Sequence, residues 1–115
     1  MRENASHIIV ENYYEPCILF LLSKKASYGY KLKKDLKIKL ICEVNIGNLY
    51  RCLAKLHRGG YVTKYHEESA EGPERVMYKT TSEGLSLLQR WIHQLQREKK
   101  VVSKLIKQYT NALGV

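Results

Sequence analysis

Asn48, Arg51, Lys55 and Arg58 recur at helical spacing in a stretch bounded by Asn45 and the Gly59-Gly60 pair. At about 100° per residue they cluster on one side of a helix, and Ile46, Leu49, Leu53 and Leu56 fall within one arc opposite. The chemistry open to the polar side is recognition of a polyanion. Asparagine bonds bidentately to an adenine edge, arginine to a guanine edge, and lysine or arginine neutralises phosphate. The same four residues would equally make an ordinary solvated face. Tyr50 lies at the border of the two faces, where its hydroxyl reaches a phosphate or its ring is simply half-buried core.

Other chemistries find less support. His7, His57, His66 and His93 never stand at paired ligand spacing with Cys17, Cys42 or Cys52, so no metal and no cofactor is expected. Three cysteines without close spacing do not build a disulfide framework, and the chain reads as cytoplasmic. Cys52, on the flank of the helix just described, is either a small buried hydrophobe or a thiol whose modification would disturb docking. No nucleophile elbow, phosphate loop or pair of catalytic carboxylates is present, and the expectation is a protein that is not an enzyme. The apolar run Cys17 to Leu22 is far shorter than the roughly 20 residues of a membrane span, so no membrane partner is expected.

Charge agrees with a polyanion partner. The chain of 115 residues carries 20 Lys and Arg against 11 Asp and Glu, a formal net charge of +9. The surplus is concentrated between Glu15 and Gly60, where ten basic residues meet three acidic ones. Tyr61 to Thr80 is acidic instead, with three basic residues against four acidic.

The elements that must position these side chains follow from local signals. Glu15-Pro16 suits a helix start, since an early helical proline gives up an amide that has no partner there. Ile8, Ile9, Val10, Tyr13 and Tyr14 either extend that helix backwards or form a separate arm. Ser27 reads as the N-cap of a short basic helix from Tyr28 to Leu36 that carries Lys31, Lys33 and Lys34. Ile38 to Glu43 reads as a small strand or an extended link. Asn45 caps the third helix, which stops at Gly59-Gly60.

Tyr61 to His66 and Val76 to Thr80 are rich in strand formers around a polar Gly-Pro segment, which predicts a hairpin. Thr80 with Glu83 has capping-box spacing and opens a last helix to about Thr110. Along it Leu85, Leu88, Ile92, Leu95, Val102, Ile106, Tyr109 and Leu113 follow steps of three and four, broken only at Lys99. A helix of roughly 30 residues at about 1.5 Å each outreaches a small domain, so its stripe calls for a second copy of the chain.

Three helices, a hairpin and a further helix describe a mainly α winged helix-turn-helix, in which the helix before the hairpin enters the major groove of double-stranded DNA and the hairpin tip reaches the flanking backbone. Residues 1–80 would form the DNA-binding domain, with its N-terminal helix, and 81–115 the dimerisation helix.

Tyr28-Gly29-Tyr30, then Asn48-Leu49-Tyr50-Arg51-Cys52-Leu53 with Leu56 and Gly60, then Gly72-Pro73-Glu74-Arg75 with Tyr78 and the Thr81 to Gly84 turn together resemble the PadR family of winged-helix regulators. The resemblance runs from about Cys17 to Trp91. It implies a twofold dimer built by the long last helix with the first helix, repression by operator binding, and release by an aromatic or drug-like effector. On the helix chemistry above, the DNA contacts are expected at Asn45, Asn48, Tyr50, Arg51, Lys55, Arg58, Lys31, Lys34 and Arg75. Dimerisation falls to Leu85, Leu88, Ile92, Leu95, Val102 and Ile106. By analogy Trp91 lines an effector cavity completed by Tyr13 or Tyr14 from the first segment of the second copy, although a lone tryptophan among leucines is more often core.

Two features depart from the family pattern. The hairpin tip is acidic, with Glu67, Glu68, Glu71 and Glu74 against Arg75, which shifts the weight of DNA contact onto the third helix. Arg51 stands where the family commonly has proline. Two other functions fit the same fold: a replication-terminator or partition protein, and a protein-interaction module whose acidic hairpin docks on a basic partner.

Overall fold

The computed structural model describes residues 13–68 and 72–114. Within them the elements run α1 (Tyr14–Lys24), α2 (Gly29–Leu40), α3 (Ile46–Arg58), β1 (Val62–Glu67), β2 (Arg75–Thr80) and α4 (Ser82–Ala112). Pro16 stands third in α1, still within the first turn, where its missing amide costs no intrahelical bond. Ile8, Ile9, Val10 and Glu71 lie outside the described residues.

The core forms where α1, α2 and α3 converge on the base of the hairpin. Ile18, Leu19, Leu22, Leu32, Leu36, Leu49, Leu53, Leu56 and Val62 are fully buried there. Burying each such side chain contributes about 1.5–3 kcal/mol. The hairpin is antiparallel, with Val62 opposite Thr80 and Glu67 opposite Arg75. It is fastened at two points. Ser27 and Tyr78 exchange backbone hydrogen bonds at 3.0 and 2.7 Å, adding a one-residue third strand from the α1–α2 link. The Thr80 hydroxyl donates to the Leu19 carbonyl at 2.9 Å, tying β2 to α1.

Three local boundaries differ from the sequence expectation. Ser27 does not cap α2: Tyr28 holds that position, and the backbone of Ser27 is committed to Tyr78. Residues 38–40 are the last turn of α2 and not a strand. The helix stops when Ile41 enters the left-handed region at φ 51° and the Cys42 amide closes onto the Leu36 carbonyl at 3.0 Å. A β-branched residue there costs about 1–2 kcal/mol, and the glycine that usually marks such a stop is absent. Finally, Thr81 and not Thr80 caps α4, accepting from the Gly84 amide at 3.1 Å, because pairing with Val62 holds Thr80 in the strand.

Gly84 lets α4 start against the hairpin, since a methyl group at this position would overlap the Tyr61 carbonyl oxygen. Beyond its first turns α4 leaves the domain, and the molecule extends 62 × 31 × 24 Å.

Candidate nucleic-acid interface

α3 begins as expected: the Asn45 side chain accepts from the Asn48 amide at 2.7 Å, satisfying one of the unpaired donors of the first turn. Its polar side divides in two. Gly47, Arg51, Ala54 and Arg58 are all exposed and share the face pointing away from the core. The Arg51 guanidinium lies back over Gly47 and donates to the Asn48 side-chain oxygen, so it rests along the N-terminal turn. Two small residues beside two arginines leave that face open to close approach.

Asn48 and Lys55 sit on the flank. Asn48 is half-buried, and the Lys55 ammonium stands 3.7 Å from the Glu15 carboxylate on α1. None of Asn48, Arg51, Lys55 or Arg58 is buried against another element.

Tyr50 spans the helix-turn-helix corner. Its ring and hydroxyl occupy the space that a Cβ at residue 29 would need, so the Tyr28-Gly29-Tyr30 segment has its glycine because α3 presses a tyrosine onto the start of α2. Tyr50 is 40% exposed, which leaves it both packed and within reach of solvent. On α2, Lys31 pairs with Asp35 at 3.2 Å, whereas Lys34 is exposed. Arg75, opening β2 opposite Glu67, reaches back toward the helices, its guanidinium 4.5 Å from the centre of the Tyr28 ring in a cation–π contact. Glu67 across from it, and Glu68 and Glu74 farther out, are exposed, and Glu74 contacts His66. The hairpin therefore offers acid at its tip and one arginine near the helices.

Where α1 crosses α4, the Trp91 indole N–H donates to Glu15 Oε2 at 2.5 Å and the Tyr13 hydroxyl to Glu98 Oε2 at 3.3 Å. Tyr13 and Trp91 thus line one contact, and Tyr14 packs against the core. The Tyr13 hydroxyl is pushed above its ordinary pKa by burial and then by the Glu98 charge. In the last helix Leu88 also packs on the core, and Leu95 is half-buried. Leu85, Ile92, Val102 and Ile106 are exposed, as are Val101, Leu105 and Tyr109 beside them.

The cysteines are free thiols. Burial, followed by the nearby Cys42, pushes Cys17 up to about 12. Burial and then the Glu15 charge push Cys52 up to about 11. Thiolates are disfavoured at both, which makes them poor nucleophiles. Among the described residues no three His, Cys, Asp or Glu side chains group as a metal site, and no helix is long and apolar enough to cross a membrane.

Sequence reasoning missed Glu15, treated only as a helix-start residue. It touches residues 40 and 76 positions away, and no spacing rule reaches that far.

A basic helix exposed directly before a hairpin, with a further helix behind, defines a winged-helix DNA-binding protein. The profile of the transcriptional regulator PadR-like family matches residues 18–90, and the chain belongs to that family of DNA-binding transcriptional regulators. A transcriptional regulator from Clostridium thermocellum is 29% identical and superposes with a TM-score of 0.77 over 84% of this chain and 93% of that one. A Streptococcus mutans protein is 31% identical, with a TM-score of 0.71 over 82% and 86%. Bacillus subtilis PadR, solved in complex with operator DNA, is 26% identical with a TM-score of 0.61; the match covers 68% of this chain and 45% of that longer protein. No curated protein sequence matches the chain.

Proposed function

We propose that the chain is a cytoplasmic homodimeric repressor that binds operator DNA through α3 and is released by a small aromatic effector. The observation that carries this reading is the open face of α3, where Arg51 and Arg58 stand beside Gly47 and Ala54 immediately before the hairpin. Residues 1–80 bind DNA and 81–115 join the two copies. Arg51 reads a guanine edge. Asn45, Asn48, Lys55 and Arg58 serve the same groove and its phosphates. Lys31, Lys34, Tyr50 and Arg75 contact backbone, and the acidic tip stays away from it.

Apolar residues along Leu85, Leu88, Ile92, Leu95, Val102 and Ile106 meet their counterparts in the second copy. Such a stripe left in water would be unusual for a monomer. The effector stacks beside Trp91, with Tyr13 and Tyr14 near by. The operator complex of the B. subtilis relative supports the DNA-binding mode.

Selection of bound fragments from a genomic DNA pool tests the reading, followed by affinity measurements across a salt series. Arg51→Ala is expected to lose about 10- to 100-fold of preference for the selected site over mixed DNA, the scale of one bidentate base contact. Lys31→Ala is expected to weaken all sequences alike and to flatten the salt slope by about 1. Absence of binding to any fragment at low salt would overturn the proposal.

A further inference from the structure

Glu15 touches both the DNA-facing helix and the long last helix through a single charged group. Its side chain is only 18% exposed, although it is a carboxylate at the start of a helix. Its two oxygens are divided. Oε2 accepts from the Trp91 indole N–H at 2.5 Å, and Oε1 faces the Lys55 ammonium at 3.7 Å. Lys55 itself is 73% exposed, so its ammonium can swing to another anion without unpacking anything.

A DNA phosphate is such an anion. The carboxylate competes with it for Lys55 and, sitting on the flank of α3, also repels it. Loss of the ammonium from Oε1 leaves a mostly buried carboxylate still held by the indole N–H. A charged group short of partners draws harder on the one that stays.

We propose that Glu15 is a positioning residue: it shares its carboxylate between Lys55 and Trp91, so that engagement of DNA phosphate by Lys55 is felt at Trp91. The inference rests on the reading of α3 as the DNA-facing helix. Coupling of this kind is reciprocal, so a change of partner at Trp91 alters the affinity of Lys55 for phosphate by the same factor.

Trp91 is the single tryptophan of the chain and reports on its own surroundings by fluorescence. The full chain is titrated with a mixed-sequence DNA duplex at low salt while binding and Trp91 emission are followed together. In the unmodified chain the emission is expected to shift as the duplex saturates. Lys55→Gln is expected to bind with a salt slope flatter by about 0.9 and without the emission shift.

Glu15→Gln keeps an acceptor for the indole but removes the charge. It is expected to bind up to about fivefold tighter, the scale of one exposed ion pair, also without the shift. Binding without any emission change in the unmodified chain overturns the coupling, and so does an undiminished shift in Lys55→Gln. Failure of the unmodified chain to bind the duplex is a different result: it removes the DNA-binding reading and this inference with it.

Discussion

Between Ser82 and Glu98, α4 is tied to the rest of the chain: Gly84 abuts the Tyr61 carbonyl, Leu87, Leu88 and Trp91 pack against the core, and Glu98 receives the Tyr13 hydroxyl. From Lys99 to Ala112 every residue is exposed, including Val101, Val102, Leu105, Ile106 and Tyr109. The two halves share residue types and much the same three-and-four spacing. What separates them is whether another element lies opposite. An apolar helical stripe is thus a demand for a surface, and in the outer half no part of the described chain meets it. Isolated helices of this length are marginal in water, so the outer half is the part whose order depends most on a second copy.

The largest expected effect would break the comparison in the outer half. Val102→Asp with Ile106→Asp places four carboxylates along a twofold seam. The double variant is expected to sediment as a monomer and to bind operator DNA at least about 100-fold more weakly, since two linked half-site contacts become one. A variant still dimeric in sedimentation would show that the exposed stripe is not the seam. In the inner half, Gly84→Ala forces a methyl group onto the Tyr61 carbonyl. Overpacking of about 3 kcal/mol, offset by about 1 kcal/mol of helix propensity, leaves a loss of about 2 kcal/mol. Thermal melts should show it equally at low and high protein concentration, whereas instability from the outer pair should vary with concentration.

The smallest effect lies at the boundary between the halves. Burial and then Glu98 raise the folded-state pKa of Tyr13 above 10.0, so its neutral hydroxyl contributes stability that is full below pH 10 and lost as pH climbs through the raised value. Tyr13→Phe should cost about 0.5 kcal/mol at neutral pH and remove that part of the alkaline loss, read from urea midpoints across pH.

Much of this architecture was legible because its signals are local. Asn45 as a cap, the stop near Gly59-Gly60 and the stripe of the last helix each depend on neighbours within a turn or two. Structure and expectation part where a distant partner decides between adjacent residues. Thr80 and Thr81 both suit a cap, and only pairing with Val62 assigns Thr80 to the strand. Ser27 is a good cap by type, but its backbone is already engaged with Tyr78. Of the four residues expected on the polar side of α3, Arg51 and Arg58 lie on its open face. Asn48 and Lys55 lie on its flank, where Lys55 meets Glu15, a neighbour that helical periodicity cannot see.

The seating of Tyr50 on Gly29 also limits how this sequence can drift. Because the ring fills the space of a side chain at residue 29, any larger residue there must displace Tyr50. A larger residue at 29 costs less once Tyr50 has been cut back, so the two substitutions are non-additive and their order matters. The angle between the two helices of the motif is inherited as a pair of residues.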